Sequence, residues 1–183
     1  MPKKIPWKKL DSRVVYRNKW ITVREDGVIC PDGTKSIYGV IETRPSVYIV
    51  PLTDQNEIYL VEQYRYPTKI FSWEIPAGGS EGENFLIAAK RELWEETGFR
   101  ARRWMRMGKF QSWNGCSSEW GYMFIARGLS QTGTNKQKEE GISRMKKVPF
   151  TEIMRMIVRG ELTDSASIVA LTKAALMTGI FKK

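Results

Sequence analysis

The segment NFLIAAKRELWEETG, residues 84–98, constrains this chain more than any other. Its apolar residues recur at helical spacing: Phe85, Ala88, Ala89, Leu93 and Thr97 line one side, and Gly98 supplies a C-terminal stop. The same helix carries Glu92, Glu95 and Glu96 beside Arg91. At i, i+3 and i, i+4 spacing these carboxylates share a side, where each adjacent pair repels by about 0.2–0.5 kcal/mol on an isolated helix. A solvated acidic face partnered by Lys90 and Arg91 is the plain explanation. The loop in front of the helix, IPAGGSEGE, argues against it. That loop adds Glu81 and Glu83, with small residues that let a ligand approach the main chain. Acidic clusters of this kind are hard-oxygen cages for Mg²⁺ or Mn²⁺, and a bound cation relieves the repulsion.

Composition narrows the chemistry further. There is no histidine, which excludes Ser-His-Asp triads, His-dependent zinc sites and imidazole acid–base catalysis. Carboxylates, Lys, Tyr, Cys or an oxygen-held metal remain. Cys30 and Cys116 stand far apart and in no metal-ligand spacing, as expected of idle thiols in a reducing cytoplasm. No apolar run approaches the length of a membrane span, and the start, MPKKIPWKKLDSR, has no apolar core of a signal peptide. The net charge of +10 is scattered over short clusters such as RARRWMR and RMKK. Scattered cations read as a surface that attracts anionic, phosphorylated substrates, with a nucleic-acid groove the minority reading.

The 183 residues allow one domain with an added arm. Residues 13–24, RVVYRNKWITVR, predict a strand, and residues 28–42 a hairpin turning at Pro31-Asp32-Gly33. SVYIVPL (46–52) is nearly continuously apolar, which predicts a central strand buried on both faces. EIYLVEQYRY (57–66) and FSWEIPAGG (71–79) follow as strands, the second running into a Pro-Gly loop. WMRMGKFQSW and WGYMFIARGL predict strands around the loop NGCSS, and GISRMKKVPF another. TEIMRMIVRG predicts a helix opened by Thr151 and closed by Gly160. DSASIVALTKAALMTG predicts another, capped by Asp164 or Ser165, with Ile168, Leu171, Ala175 and Leu176 as core. The sum is an α/β sandwich with helices on both sides of mixed strands (residues 46–183), preceded by an antiparallel β arm (residues 1–45).

From Glu83 onward, seven residues precede Arg91-Glu92-Leu93-Trp94-Glu95-Glu96-Thr97-Gly98-Phe99. This resembles the Nudix hydrolase box, G-x5-E-x7-R-E-U-x-E-E-x-G-U with U apolar, and matches it at every defined position from Glu83 on. Four residues, not five, separate Gly78 from Glu83, so the loop is one residue short. EQYRY, WEIPAGG, SSEWGYMFIAR and GELTDSASIVALTKA extend the resemblance to the subgroup that hydrolyses ADP-ribose and other nucleoside diphosphate sugars. That subgroup uses an N-terminal β arm to form an intertwined homodimer. Its proline before the glycine of the loop ahead of SSE is replaced here by Asn114, which implies acceptance of several diphosphate sugars.

The resemblance implies roles. Glu92 and Glu96 are the main metal ligands, the backbone carbonyl of Ala77 a third, and Glu95 contributes directly or through water. Arg91 orients the carboxylates. The general base is expected outside the box, at Glu119, for which a role-less rim carboxylate is the competing reading; Glu139 and Glu140 are the other candidates. Trp20 and Arg44 would contact base and ribose, although Trp20 equally suits the dimer seam. Arg65 would reach the diphosphate, and Glu74 would hydrogen-bond near metal or substrate. The expected activity is cleavage of ADP-ribose, ADP-glucose or GDP-mannose to a nucleoside monophosphate and a sugar phosphate. The alternatives are removal of pyrophosphate from RNA 5′ ends and a non-catalytic ligand-binding regulator.

Overall fold

The computed structural model describes residues 5–180. They divide into two compact units, one running up to Arg44 and including Gln111–Trp120, the other comprising Pro45–Phe110 and the residues from Gly121 on.

The first unit is an antiparallel meander of β1 (Lys8–Arg17), β2 (Ile21–Ile29) and β3 (Lys35–Thr43). The single strand expected over residues 13–24 is in fact the end of β1 and the start of β2. Asn18 makes the break: its Oδ1 accepts the N–H groups of Trp20 and Ile21, each at 2.8 Å, replacing ladder bonds with a local turn. The Pro31-Asp32-Gly33 turn is present, with Gly33 at φ +91°, a conformation that favours glycine. Gln111–Trp120 joins this unit through Ile41, whose N–H donates to Cys116 and whose carbonyl accepts from Ser118. All ten residues of β1 are exposed, including Leu10, Val14, Val15 and Tyr16.

The second unit is built on β4 (Ser46–Pro51), which lies in a mixed sheet ordered β7 (Ala77–Gly79), β4, β9 (Gly121–Gln131), β8 (Phe99–Phe110). The β4–β9 pair is parallel and the others antiparallel. A second, antiparallel sheet orders β10 (Ile142–Pro149), β5 (Glu57–Arg65) and β6 (Ile70–Glu74). Alternate β4 side chains serve two cores, as expected of a strand covered on both faces. Val47 and Ile49 pack with Ala88, Ala89 and Leu93 of α1 (Phe85–Thr97). Val50 and Leu52 pack with Ala170, Leu171 and Ala174 of α3 (Ser165–Thr178) and with Ile153 and Met156 of α2 (Phe150–Val158). Each such fully buried aliphatic contributes about 1.5–3 kcal/mol of transfer free energy.

Three local expectations are corrected. FSWEIPAGG is two strands in different sheets, because Pro76 has no N–H to continue a ladder. The freed Ile75 N–H donates instead to the buried Ser167 hydroxyl at 3.0 Å. Helix α2 begins at Phe150 straight from Pro149 with no side-chain cap, so Thr151 does not open it, and Gly160 lies just past its C-cap Arg159. Leu176 is 76% exposed, because the buried stripe of α3 runs through Ala166, Ala170, Leu171, Ala174 and Ala175. No helix among the described residues is long and apolar enough to cross a membrane.

Candidate active site

Helix α1 starts at Asn84, whose side chain accepts the Leu86 N–H, and ends at Gly98 in the left-handed conformation at φ +72°. The expected apolar side is buried, and so are Glu92, Glu95 and Glu96, each only 5% exposed. The solvated-face explanation fails on that number. Lone buried carboxylates are costly, so each must be accounted for.

Arg91 and Lys136 account for one and a half of them. The Arg91 guanidinium donates to Glu83 Oε1 at 2.9 Å, and at 2.8 Å each to Glu92 Oε1, Glu95 Oε2 and the carbonyl of Gly79. It therefore clamps the preceding loop onto the helix with charge-assisted bonds. Lys136 Nζ donates to the other Glu95 oxygen at 2.6 Å. The Lys136 N–H and the Gln137 side chain also donate to the backbone carbonyls of Glu95 and Glu96. Burial works to raise the Glu95 carboxyl, but the bonds from Lys136 and Arg91 together hold it below the ordinary range.

Glu92 and Glu96 are different. Burial pushes Glu96 up to about 8, against the single N–H that Ala77 offers it at 3.1 Å, and the charge of Glu92 adds to the rise. Burial likewise raises Glu92 to about 7, with Arg91 opposing. The charge of Glu140 raises both, which places this residue of the 132–141 segment within electrostatic reach of the pair. The charge of Arg65 acts on Glu96 in the opposite sense. Glu74, buried, holds Arg65 through Nε at 2.9 Å and through Nη2. A cavity of about 400 Å³ opens beside them, lined also by Thr163, Asp164 and Ser165.

Gly78 admits the Glu92 carboxylate: a Cβ there would overlap it. The one-residue-short loop closes through Glu81 and Gly82 at positive φ, with the Glu83 N–H bonded to the Ser80 carbonyl at 2.8 Å. A divalent cation fits this donor set. Glu92 and Glu96 are two hard oxygen donors, desolvated, with only one of their four oxygens bonded to a cation, Arg91. Among the described residues no three acidic or Cys side chains converge on one ready-made centre. Glu95 has both oxygens engaged, one by Arg91 and one by Lys136.

The structure thus brings Ala77, Arg91, Glu92, Glu95 and Glu96 together, with the Arg65–Glu74 pair linked to them by charge. Ala77 presents its N–H to Glu96. Trp20, Arg44 and Glu119 fall in the arm unit. Trp20 is 68% exposed with Lys19 Nζ 4.2 Å from its ring centroid, Arg44 is exposed, and Glu119 is half-buried in the Gln111–Trp120 segment. Lys136 and Gln137 were not legible beforehand: they lie 41 positions from their partners, in a loop with no periodicity.

A Gly-rich loop clamped by arginine onto a carboxylate helix, on a mixed sheet sandwiched by helices, defines a Nudix hydrolase. The chain belongs to that family: the NUDIX domain matches residues 42–168, and the nucleoside diphosphate sugar hydrolase N-terminal domain matches residues 7–41. The chain is 32% identical to an ADP-ribose pyrophosphatase of Mycobacterium tuberculosis over 174 residues, covering 93% of this chain and 84% of that one. It is 27% identical to a methanol dehydrogenase activator of Bacillus methanolicus over 182 residues, 96% of each. The crystal structure of an ADP compounds hydrolase shares the fold, with a TM-score of 0.86 at 21% identity over 100% of this chain and 99% of the other.

Proposed function

We propose that this Nudix hydrolase is a divalent-metal-dependent pyrophosphatase of nucleoside diphosphate sugars, yielding a nucleoside monophosphate and a sugar phosphate. The observation that carries the reading is the pair Glu92 and Glu96, so desolvated that both carboxyls stay raised although Arg91 bonds one oxygen of Glu92 and the charge of Arg65 reaches Glu96. Mg²⁺ or Mn²⁺ bound there would neutralise the diphosphate and lower the pKa of an attacking water. Arg91 holds the loop and Glu92 in register, and Lys136 holds Glu95. Arg65, held by Glu74, presents a planar cation suited to a diphosphate oxygen. Glu119, from the arm unit, and Glu140, whose charge reaches both members of the pair, are the candidates for taking the proton of the water. Trp20 and Arg44 would contact the base and ribose.

The exposed apolar residues of β1 support a homodimer formed through residues 1–45, because a three-stranded sheet with an open apolar edge invites a partner strand. A monomeric mass by light scattering at micromolar concentration would refute that part. The activity itself is tested by a hydrolysis screen with Mg²⁺ over ADP-ribose, ADP-glucose, GDP-mannose, UDP-glucose and triphosphorylated RNA. Turnover of several diphosphate sugars, with AMP and ribose 5-phosphate from ADP-ribose, is expected. Turnover of the RNA alone would overturn the reading, and a preference for ADP-ribose of several thousand-fold would overturn the breadth attributed to Asn114.

A further inference from the structure

The outer side of α1 carries a feature that the carboxylates do not use. A groove of about 450 Å³ runs between α1 and the edge strand β8, lined by Ile87, Lys90 and Trp94 from the helix and by Arg100, Ala101 and Trp104 from the strand, with Arg91 at one border. Its size falls in the range of about 300–1,000 Å³ that small ligands occupy. Trp104 also lines a second hollow of about 220 Å³, with Phe85, Arg106 and Phe124. Both indoles are half-buried. Trp104 is fixed in orientation: its Nε1 donates to the Ala101 carbonyl at 3.1 Å, and Phe124 braces it edge-on with ring centroids 6.4 Å apart. Both indoles line the groove and, among the described residues, make no ring contact with each other; Lys136 Nζ sits over the Trp94 ring, 5.8 Å from its centre. Lys90 and Arg100 are exposed and have no carboxylate partner among the described residues, although other surface cations of this chain find one. Held aromatic faces beside unpaired cations suit one chemistry, a flat heteroaromatic ring carrying phosphate.

We propose that the α1–β8 groove is a nucleotide-binding site separate from the hydrolytic centre, with the base against Trp94 and Trp104 and the phosphate met by Lys90 and Arg100. The ligand is a free nucleotide or a nucleotide within a single-stranded RNA; the chemistry is shared. The site has a route to the catalytic helix. Trp94 adjoins Glu95 in sequence, and Lys136 Nζ, which holds Glu95, stands 5.8 Å from the centre of the Trp94 ring.

Calorimetric titration of the full chain with AMP and with a five-residue oligoadenylate, both in EDTA, tests the proposal. AMP is also an expected product, so the hydrolytic centre must be told apart from the groove. Binding is expected to weaken at least about tenfold in Arg100→Glu and in Trp104→Leu and to persist in Glu96→Gln. Arg100 is exposed, so Arg100→Glu decides the matter should Trp104→Leu fail to fold by circular dichroism. A tenfold tighter grip on the oligoadenylate, lost in Arg100→Glu, identifies single-stranded RNA as the source; equal or weaker binding identifies the free nucleotide. The proposal is overturned if neither probe binds at millimolar concentration, or if binding is lost in Glu96→Gln and unchanged in the groove variants. It is equally overturned if the groove variants lower the solution mass, which would make the groove an interface between copies.

Discussion

Helices α1 and α3 are nearly matched in length, at 13 and 14 residues, and pack against opposite faces of β4. They also share their end devices. Each opens on an Asx side chain, Asn84 or Asp164, that accepts a backbone N–H, and each closes on a left-handed glycine, Gly98 or Gly179. They differ in what they bury. Helix α3 buries alanines, Leu171 and one hydroxyl, Ser167, that accepts the Ile75 N–H. Helix α1 buries a similar apolar stripe and, in addition, Glu92, Glu95 and Glu96. A burial pattern that costs stability when unbalanced has no structural reason to occur on one helix and not on its counterpart. The contrast separates residues that hold the sheet from residues proposed to hold a ligand.

The largest effect should come from exchanging the two kinds of loss. Glu96→Gln is expected to lower kcat at least about 10³-fold, the several kcal/mol that a bound metal supplies, while the metal-free fold survives because the amide mimics a protonated carboxyl. Leu171→Ala should do the reverse, costing about 2–5 kcal/mol of stability with little change in kcat. Paired measurement of kcat and of urea midpoints would break the comparison if Leu171→Ala lost activity as steeply as Glu96→Gln. A smaller effect is expected from Lys136→Ala, which releases one oxygen of the buried Glu95: the metal concentration for half-maximal activity should rise about 10–100-fold with a modest fall in Tm, and Lys136→Arg should restore part of both. The smallest effect belongs to the ends. Asn84→Ala and Asp164→Ala should each cost about 1 kcal/mol in chemical denaturation, since each cap accepts one N–H of its helix's first turn, Leu86 in one case and Ser167 in the other.

How much of this was visible in the sequence follows from where the forces are local. The 3.6-residue period of residues 85–97, the Gly98 stop and the apolar run of β4 are local patterns, and all three are realised. The box residues could be named for the same reason. The burial of the carboxylates could not, because it depends on β7 and the 132–141 segment closing over the helix. The split of FSWEIPAGG between two sheets was missed although Pro76 was in view, since only the partner strands show where the chain changes sheet. Leu176 was assigned to the core from period alone, and one step of helical rotation past Ala175 carries it outward.

The central claim is that Glu92 and Glu96 await a divalent cation, and thermal melts across pH with and without Mg²⁺ test it most directly. Burial raises both folded carboxyls, to about 7 and about 8, above their ordinary value of 4.5. Raised pKa values contribute stability that is full below pH 4.5 and is lost as pH climbs through 7 and 8. In EDTA, therefore, this pair should lower Tm from pH 4.5 up to about 8 and level off above that, and Glu96→Gln should flatten the decline. Mg²⁺ would bind the ionised pair, so its stabilisation should grow over the same window, reaching on the order of 5–10 °C at about 100 times its Kd, and should shrink sharply in Glu96→Gln. A Mg²⁺ shift that is independent of pH and equal in wild type and Glu96→Gln would contradict the account.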